Sequence, residues 1–144
     1  MRKLIRISVC VVLIIASSCK APEQTAPVDV TELTISNIHQ AYQKGNFTSE
    51  QLVTAYLDRI HQFDTLINAI TTINPDALTI AKALDDEYKR TKVLRPLHGI
   101  PLIVKDNIQT KGLPTTAGAL ALKDFISDED AFIIDKLVKA GAVI

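Results

Sequence analysis

The segment Leu97-His98-Gly99-Ile100-Pro101-Leu102-Ile103-Val104-Lys105-Asp106-Asn107 sets an apolar run, punctuated by one glycine and two residues later a proline, directly against a cation and two turn-forming residues. Its last apolar residues, Leu102, Ile103 and Val104, form the short unbroken run expected of a strand covered on both faces. Lys105 follows at once. On the residues alone it is an ordinary strand-end lysine whose stem lies along apolar surface while its head reaches water. Asp106 and Asn107 are expected to turn the chain, and Lys111-Gly112-Leu113-Pro114-Thr115-Thr116-Ala117-Gly118 extends that turn into a long loop.

Beyond the loop, Ser127 is expected to cap a helix with Asp128, Glu129 and Asp130 in its first turn and Lys136 and Lys139 near its last, both charge sets opposing the macrodipole. Gly141 ends that helix, and Ala142-Val143-Ile144 opens a second apolar strand. Strand, loop, helix and strand make a β-α-β crossover with parallel strands, so the fold class is α/β. A parallel strand buried on both faces needs a neighbour on each side and covering helices, which these residues do not supply. The expectation is an incomplete sheet, and hence a fragment of a longer protein.

Upstream, a helix is expected from about Ile35 to Lys44, with Thr34 as its cap and Gly45 ending it in a left-handed turn. Thr48 caps a second helix, with Gln51 completing a capping box, and Leu52, Val53, Tyr56, Leu57, Ile60 and Phe63 give it one apolar face. Asn68 to Ile73 is short and β-branched and reads as a strand. Asn74-Pro75-Asp76 then starts a third helix, running to about Arg90 and burying Ala77, Ala81, Leu84 and Tyr88. His39 and His61 lie within the first two helices with no metal-ligand spacing around them, so they read as surface or satisfied side chains and no metal is expected.

Residues 1–18 read as a signal peptide, because Arg2, Lys3 and Arg6 precede an apolar run from Ile7 to Ala16 that is too short to anchor in a bilayer. Ala16-Ser17-Ser18-Cys19 resembles a bacterial lipoprotein processing box, in which Cys19 receives lipid. An ordinary cleavage at the same bond would instead leave a free thiol and a secreted protein. Residues 19–33, polar and carrying Pro22 and Pro27, read as a tether, and 34–144 as the folded part. With the leader removed the 16 acidic residues outnumber the basic ones, and no basic stripe is available for phosphates, which argues against nucleic acid. Loss of Cys10 leaves Cys19 alone, so no internal disulfide can form.

Pro96 to Ile108, followed by Thr110-Lys111-Gly112-Leu113-Pro114-Thr115-Thr116-Ala117-Gly118, resembles the amidase signature family, and the agreement extends through Asn68–Ala83 and Asp130–Ile144. The resemblance implies the N-terminal part of a fold with helices packed around a mixed, largely parallel central sheet. It also implies a serine–cis-serine–lysine triad, no cofactor, and Lys105 as the general base. A lysine with the ordinary pKa of about 10.4 is protonated at neutral pH, so the role requires a dry site that disfavours the ammonium. Asp106, Asn107, Thr115, Thr116 and Gly118 are expected to shape the loop near the site, and His98 to make a structural hydrogen bond. None of the six serines, Ser8, Ser17, Ser18, Ser36, Ser49 and Ser127, lies in a glycine-rich elbow, so the nucleophile is expected elsewhere and these 144 residues are expected to be inactive alone.

Three functions follow from this reading. The first is an exported amidase acting on a small-molecule amide, lipid-anchored at the periplasmic or outer side of a membrane in a bacterial envelope. The second is a glutamine amidase like the amidase-fold subunit of the tRNA-dependent amidotransferase, which an export leader argues against. The third is a lipoprotein that keeps the fold as a binding module without catalysis.

Overall fold

The computed structural model describes residues 27–144, and the expected signal peptide, with Cys19 and its lipidation, lies outside the described residues. Three helices form the platform: α1 (Ile35–Lys44), α2 (Ser49–Ile67) and α3 (Ala77–Thr91). The expected capping box at Thr48 and Gln51 forms, and Thr34 caps α1 in a second box that the sequence reading did not anticipate. Thr34 Oγ1 accepts from Asn37 N while Asn37 Oδ1 accepts from Thr34 N, and Thr48 and Gln51 make the same reciprocal pair. Gly45, at φ 71°, ends α1 and returns its N–H to Ala41 and Tyr42.

The apolar face of α2 divides into two halves with different fates. Leu52 and Val53 are buried, Val53 against Ala77, Ala81 and Leu84 of α3 and Leu52 against Ile38 and Tyr42 of α1. Farther along, Leu66 is 83% and Ile67 66% exposed. Asp85 of α3, itself buried, reaches across to α2, where its two carboxylate oxygens accept from Ser49 N at 2.7 Å and Glu50 N at 3.0 Å. Two of the four unpaired N–H groups at the start of α2 are thus satisfied by a neighbouring helix. Packing also begins before residue 34. Val28, Val30 and Leu33 lie against the cluster of Ile38, Tyr42, Leu52 and Ile100, so part of the expected tether is docked on the helices.

Several local expectations are corrected. Residues 68–73 form no strand: Asn68 takes a left-handed conformation at φ 51°, and Asp64 Oδ1 accepts from Ala69 N and Ile70 N, folding the segment back onto the end of α2. At the start of α3, Asn74 Oδ1 accepts from Asp76 N in an Asx turn, so the helix begins after Asp76 instead of at Pro75. The last helix, α4 (Phe132–Lys139), starts five residues beyond Ser127, because the Ser127 hydroxyl donates to Glu129 O and Asp130 Oδ1 accepts from Lys111 N. Those side chains close turns, not the helix. Lys136 and Lys139 do occupy its last turn.

Pro101 bridges Val143 in parallel, with Leu102 N donating to Val143 O at 2.8 Å and Val143 N to Ile100 O at 2.9 Å. The crossover direction is therefore as expected. Among the described residues, however, sheet-type pairing is confined to isolated bridges, and Ile103 is 78% exposed. Among the described residues the run 102–104 is not covered on both faces, and the pairing beside it is with Val143. No described helix is long and apolar enough to cross a membrane.

Candidate active site

Lys105 lies on the wall of an open, mainly apolar cavity of about 1110 Å³. Helix α2 supplies one side through Tyr56, Ile60 and Phe63, the segment 69–74 a second and 101–106 a third, with Leu113, Val143 and Ile144 also on the wall. The lysine is exposed, which corrects the expectation that its strand desolvates it within this chain. Its carbonyl accepts from Ile108 N at 3.0 Å, closing a turn over Asp106 and the exposed Asn107. Asn74 reaches the rim, where its Nδ2 donates to Ile144 O at 2.8 Å and ties the start of α3 to the end of the crossover.

Asp106 organises the loop beyond the lysine. Its carboxylate accepts from Thr116 N at 2.9 Å and, through its second oxygen, from the Thr116 hydroxyl, while its carbonyl accepts from Ala117 N at 3.2 Å. The Thr116 hydroxyl, and then the Thr116 N–H, hold the Asp106 carboxyl below the usual carboxylate range. Thr116 Oγ1 also accepts from Gly118 N, with Gly118 at φ 70° directly after Ala117 at φ 49°. Thr115 is buried; its N–H donates to Phe125 O, and its Oγ1 has no hydrogen-bond partner. Pro114 pairs antiparallel with Ile126, so the loop returns as a short hairpin. The structure thus places Lys105 and Asp106 on the cavity wall and ties Thr116 to it through Asp106, whereas Asn107, Thr115, Thr116 and Gly118 do not themselves line it.

His98 makes the structural contact expected of it. It is 1% exposed, and Nε2 lies 3.0 Å from the carbonyl of Leu84, to which it donates, while the buried Nδ1 has no hydrogen-bond partner. His61 is exposed, as expected, whereas His39 is half-buried with Nε2 unpartnered; burial, then the nearby His98, pushes its pKa down. Of the described serines, Ser36 accepts from Gln40, Ser127 donates to Glu129 O, and Ser49 is buried at the start of α2; none lines the cavity with Lys105.

The sequence reading missed Tyr42, Ser49 and Asp85, which hold the back of the site. Tyr42 Oη donates to Gly99 O at 3.0 Å, and Gly99 N donates to Gly141 O at 2.9 Å. A signal for Asp85 was available: it falls four residues after Ala81 and next to Leu84, an acid on the apolar face of an amphipathic helix.

Against known proteins, residues 51–144 match the family model described as Amidase. The chain is similar to a Schizosaccharomyces pombe protein assigned to the amidases, 43% identical over 118 residues, covering 81% of this chain and 20% of that protein. It is similar to a glutamyl-tRNA(Gln) amidotransferase subunit from Natranaerobius thermophilus, 39% identical over 114 residues, covering 78% of this chain and 23% of that one. Among solved structures, the peptide amidase of Stenotrophomonas maltophilia superposes with a TM-score of 0.74 at 39% identity, covering 78% of this chain and 24% of that chain. The chain therefore spans about a fifth to a quarter of the length of the relatives it matches.

Proposed function

Because the chain belongs to the amidase family, and its fold is part of the amidase signature fold, we propose that it supplies the general base, Lys105, of an enzyme that hydrolyses a carboxylic amide. The observation that carries this reading is the family match over residues 51–144, which includes Lys105, combined with the position of that lysine on the wall of a large cavity.

In the proposed reaction the neutral amine of Lys105 takes a proton through one serine, held by a cis peptide, from a second serine that attacks the amide carbonyl. The nitrogen leaves as ammonia or an amine, and water releases the acid. Backbone N–H groups beside the nucleophile would stabilise the oxyanion. Both serines are contributed by sequence outside these 144 residues, and the segments that carry them roof the cavity and dry the lysine. The 144 residues alone are then inactive.

The remaining parts of the proposal concern location. The leader exports the protein, Cys19 takes lipid, and the amidase faces the periplasm or the exterior from a bacterial membrane. The relatives also favour a second reading, a glutamine amidase of the amidotransferase type, since a glutamyl-tRNA(Gln) amidotransferase subunit from Lawsonia intracellularis is 45% identical over 113 residues. Export separates the two, because charged tRNA is cytoplasmic. Cell fractionation with metabolic lipid labelling tests it: a labelled envelope protein that loses label in Cys19→Ala supports the exported amidase, and an unlabelled cytoplasmic protein overturns it.

Turnover is tested by Lys105→Ala in the complete gene product. Loss of amide hydrolysis with the fold intact is expected. Near-normal activity in a folded variant removes Lys105 as the base.

A further inference from the structure

The lysine-bearing segment is held from behind by a buried polar bolt that the proposed chemistry does not use. Gly99 sits six residues before Lys105, and its carbonyl is the acceptor for the Tyr42 hydroxyl of α1 at 3.0 Å. Its N–H donates to Gly141 O at 2.9 Å, and the preceding residue, His98, is fixed to the Leu84 carbonyl of α3. The segment is thus held by α1, by α3 and by the turn after α4 within two consecutive residues.

The space around this point is closed. Gly99 adopts φ 68°, and a Cβ added there would fall 2.1 Å from Ser49 Oγ and 2.9 Å from Tyr42 Oη. Tyr42 is 7% exposed, and its ring meets Phe47 edge-on at 5.6 Å between centroids. His39 on its own helix, Ser49 and Tyr56 on α2 and Asp85 on α3 surround the phenol. Burial, first among the causes, raises the Tyr42 pKa well above the ordinary phenol value, so the hydroxyl remains a donor through the whole working pH range.

Between Gly99 and Lys105 the described backbone bonds to other segments are those of Ile100 O and Leu102 N with Val143, so the anchors at His98 and Gly99 and this one pairing together set the line along which the chain reaches the amine. We infer that Tyr42 and His98 are positioning residues for Lys105, setting where its amine stands relative to the groups it serves. The inference rests on Lys105 being the base, as proposed above. A displacement of about 1 Å between reacting groups is enough for a loss on the order of a hundredfold.

The test uses the complete gene product and a fluorophosphonate probe, whose labelling rate reports an activated serine whatever the natural amide is. Tyr42→Phe removes only the hydroxyl. It is expected to fold, as read by circular dichroism, and to lower the labelling rate about ten- to hundredfold, with the pH dependence of labelling displaced from that of the unaltered protein. His98→Ala is expected to behave alike, and His98→Gln, which restores a donor toward Leu84 O, to recover most of the rate. A folded Tyr42→Phe that only melts earlier, with labelling rate and pH profile unchanged, overturns the inference. Lys105→Ala is run in parallel. If labelling disappears there yet is normal in Tyr42→Phe, the positioning role fails alone; if labelling survives Lys105→Ala, the base assignment fails and this inference with it.

Discussion

Asp106 and Thr116, ten residues apart in sequence, face each other across the loop beside Lys105, with one carboxylate taking both the backbone N–H and the hydroxyl of the threonine. The pairing closes the loop on itself at the residue after the lysine. Thr116→Val removes the hydroxyl and keeps the shape. Faster cleavage between residues 106 and 118 in limited proteolysis is expected, with the helices unaffected; equal cleavage rates would show that the backbone bonds to Asp106 and the hairpin hold the loop without the hydroxyl.

The same pair carries a pH dependence whose sign is fixed. Asp106 is held below its ordinary pKa of 3.8, so its stabilising contribution is present above that value and is lost as pH falls through the depressed folded pKa. Amide exchange at Thr116 and Ala117 is expected to stay slow at pH 5 and to accelerate relative to the helices only under strongly acidic conditions. In Asp106→Asn that acid-dependent step should vanish.

Asp85→Ala in the complete protein leaves Ser49 N and Glu50 N without their buried acceptor. A loss of about 1–3 kcal/mol is expected, read from the denaturant midpoint. A change below about 0.5 kcal/mol would mean that water replaces the carboxylate without cost.

Two glycines with similar positive φ should respond very differently to alanine. At Gly45, φ 71°, nothing lies within 4 Å of an added Cβ, and only the left-handed backbone penalty of about 1–2 kcal/mol applies. At Gly99 the added atom meets Ser49 and Tyr42 well inside contact distance, so Gly99→Ala is expected to yield little folded protein. Equal expression and equal melting temperatures for the two variants would contradict this.

The 144-residue polypeptide made alone is expected to bind a hydrophobic dye, because Ile103, Leu66 and Phe132 are each more than three-quarters exposed. A sharp, cooperative melt with no dye binding would count against it.

What could be read from the sequence was whatever is specified by neighbours in the chain. Thr34 with Gly45 and Thr48 with Gln51 are cap signals whose donors and acceptors lie within a few residues, and both helices begin where those signals place them. Ser127 carries the same chemistry but turns it onto Glu129 O two residues on, a local bond that competes with capping and starts from the same residue type, while Asp130 is drawn to Lys111 N nineteen residues away. Burial of residues 102–104 was misjudged for a related reason. An apolar run shows that cover is wanted, not that this stretch of chain provides it. Asp85 was passed over because its partners are on another helix, although its place beside Leu84 marked it as unusual. The segment 97–107 stood out in the sequence because its apolar run ends on a lysine, while its fastening to Tyr42 depends on a contact spanning 57 residues.

The pairing of Pro101 with Val143 has a consequence for synthesis on the ribosome. Helices α2 and α3 can pack on each other as soon as residue 91 has emerged, whereas Tyr42 of α1 waits for Gly99, and Gly99 N, Ile100 O and Leu102 N wait for 141–143 before they are satisfied. For the time it takes to translate some forty residues, the stretch leading to Lys105 is a nascent chain with apolar side chains and no mate. Chaperone occupancy during elongation should therefore peak in that interval and fall once Val143 clears the exit tunnel.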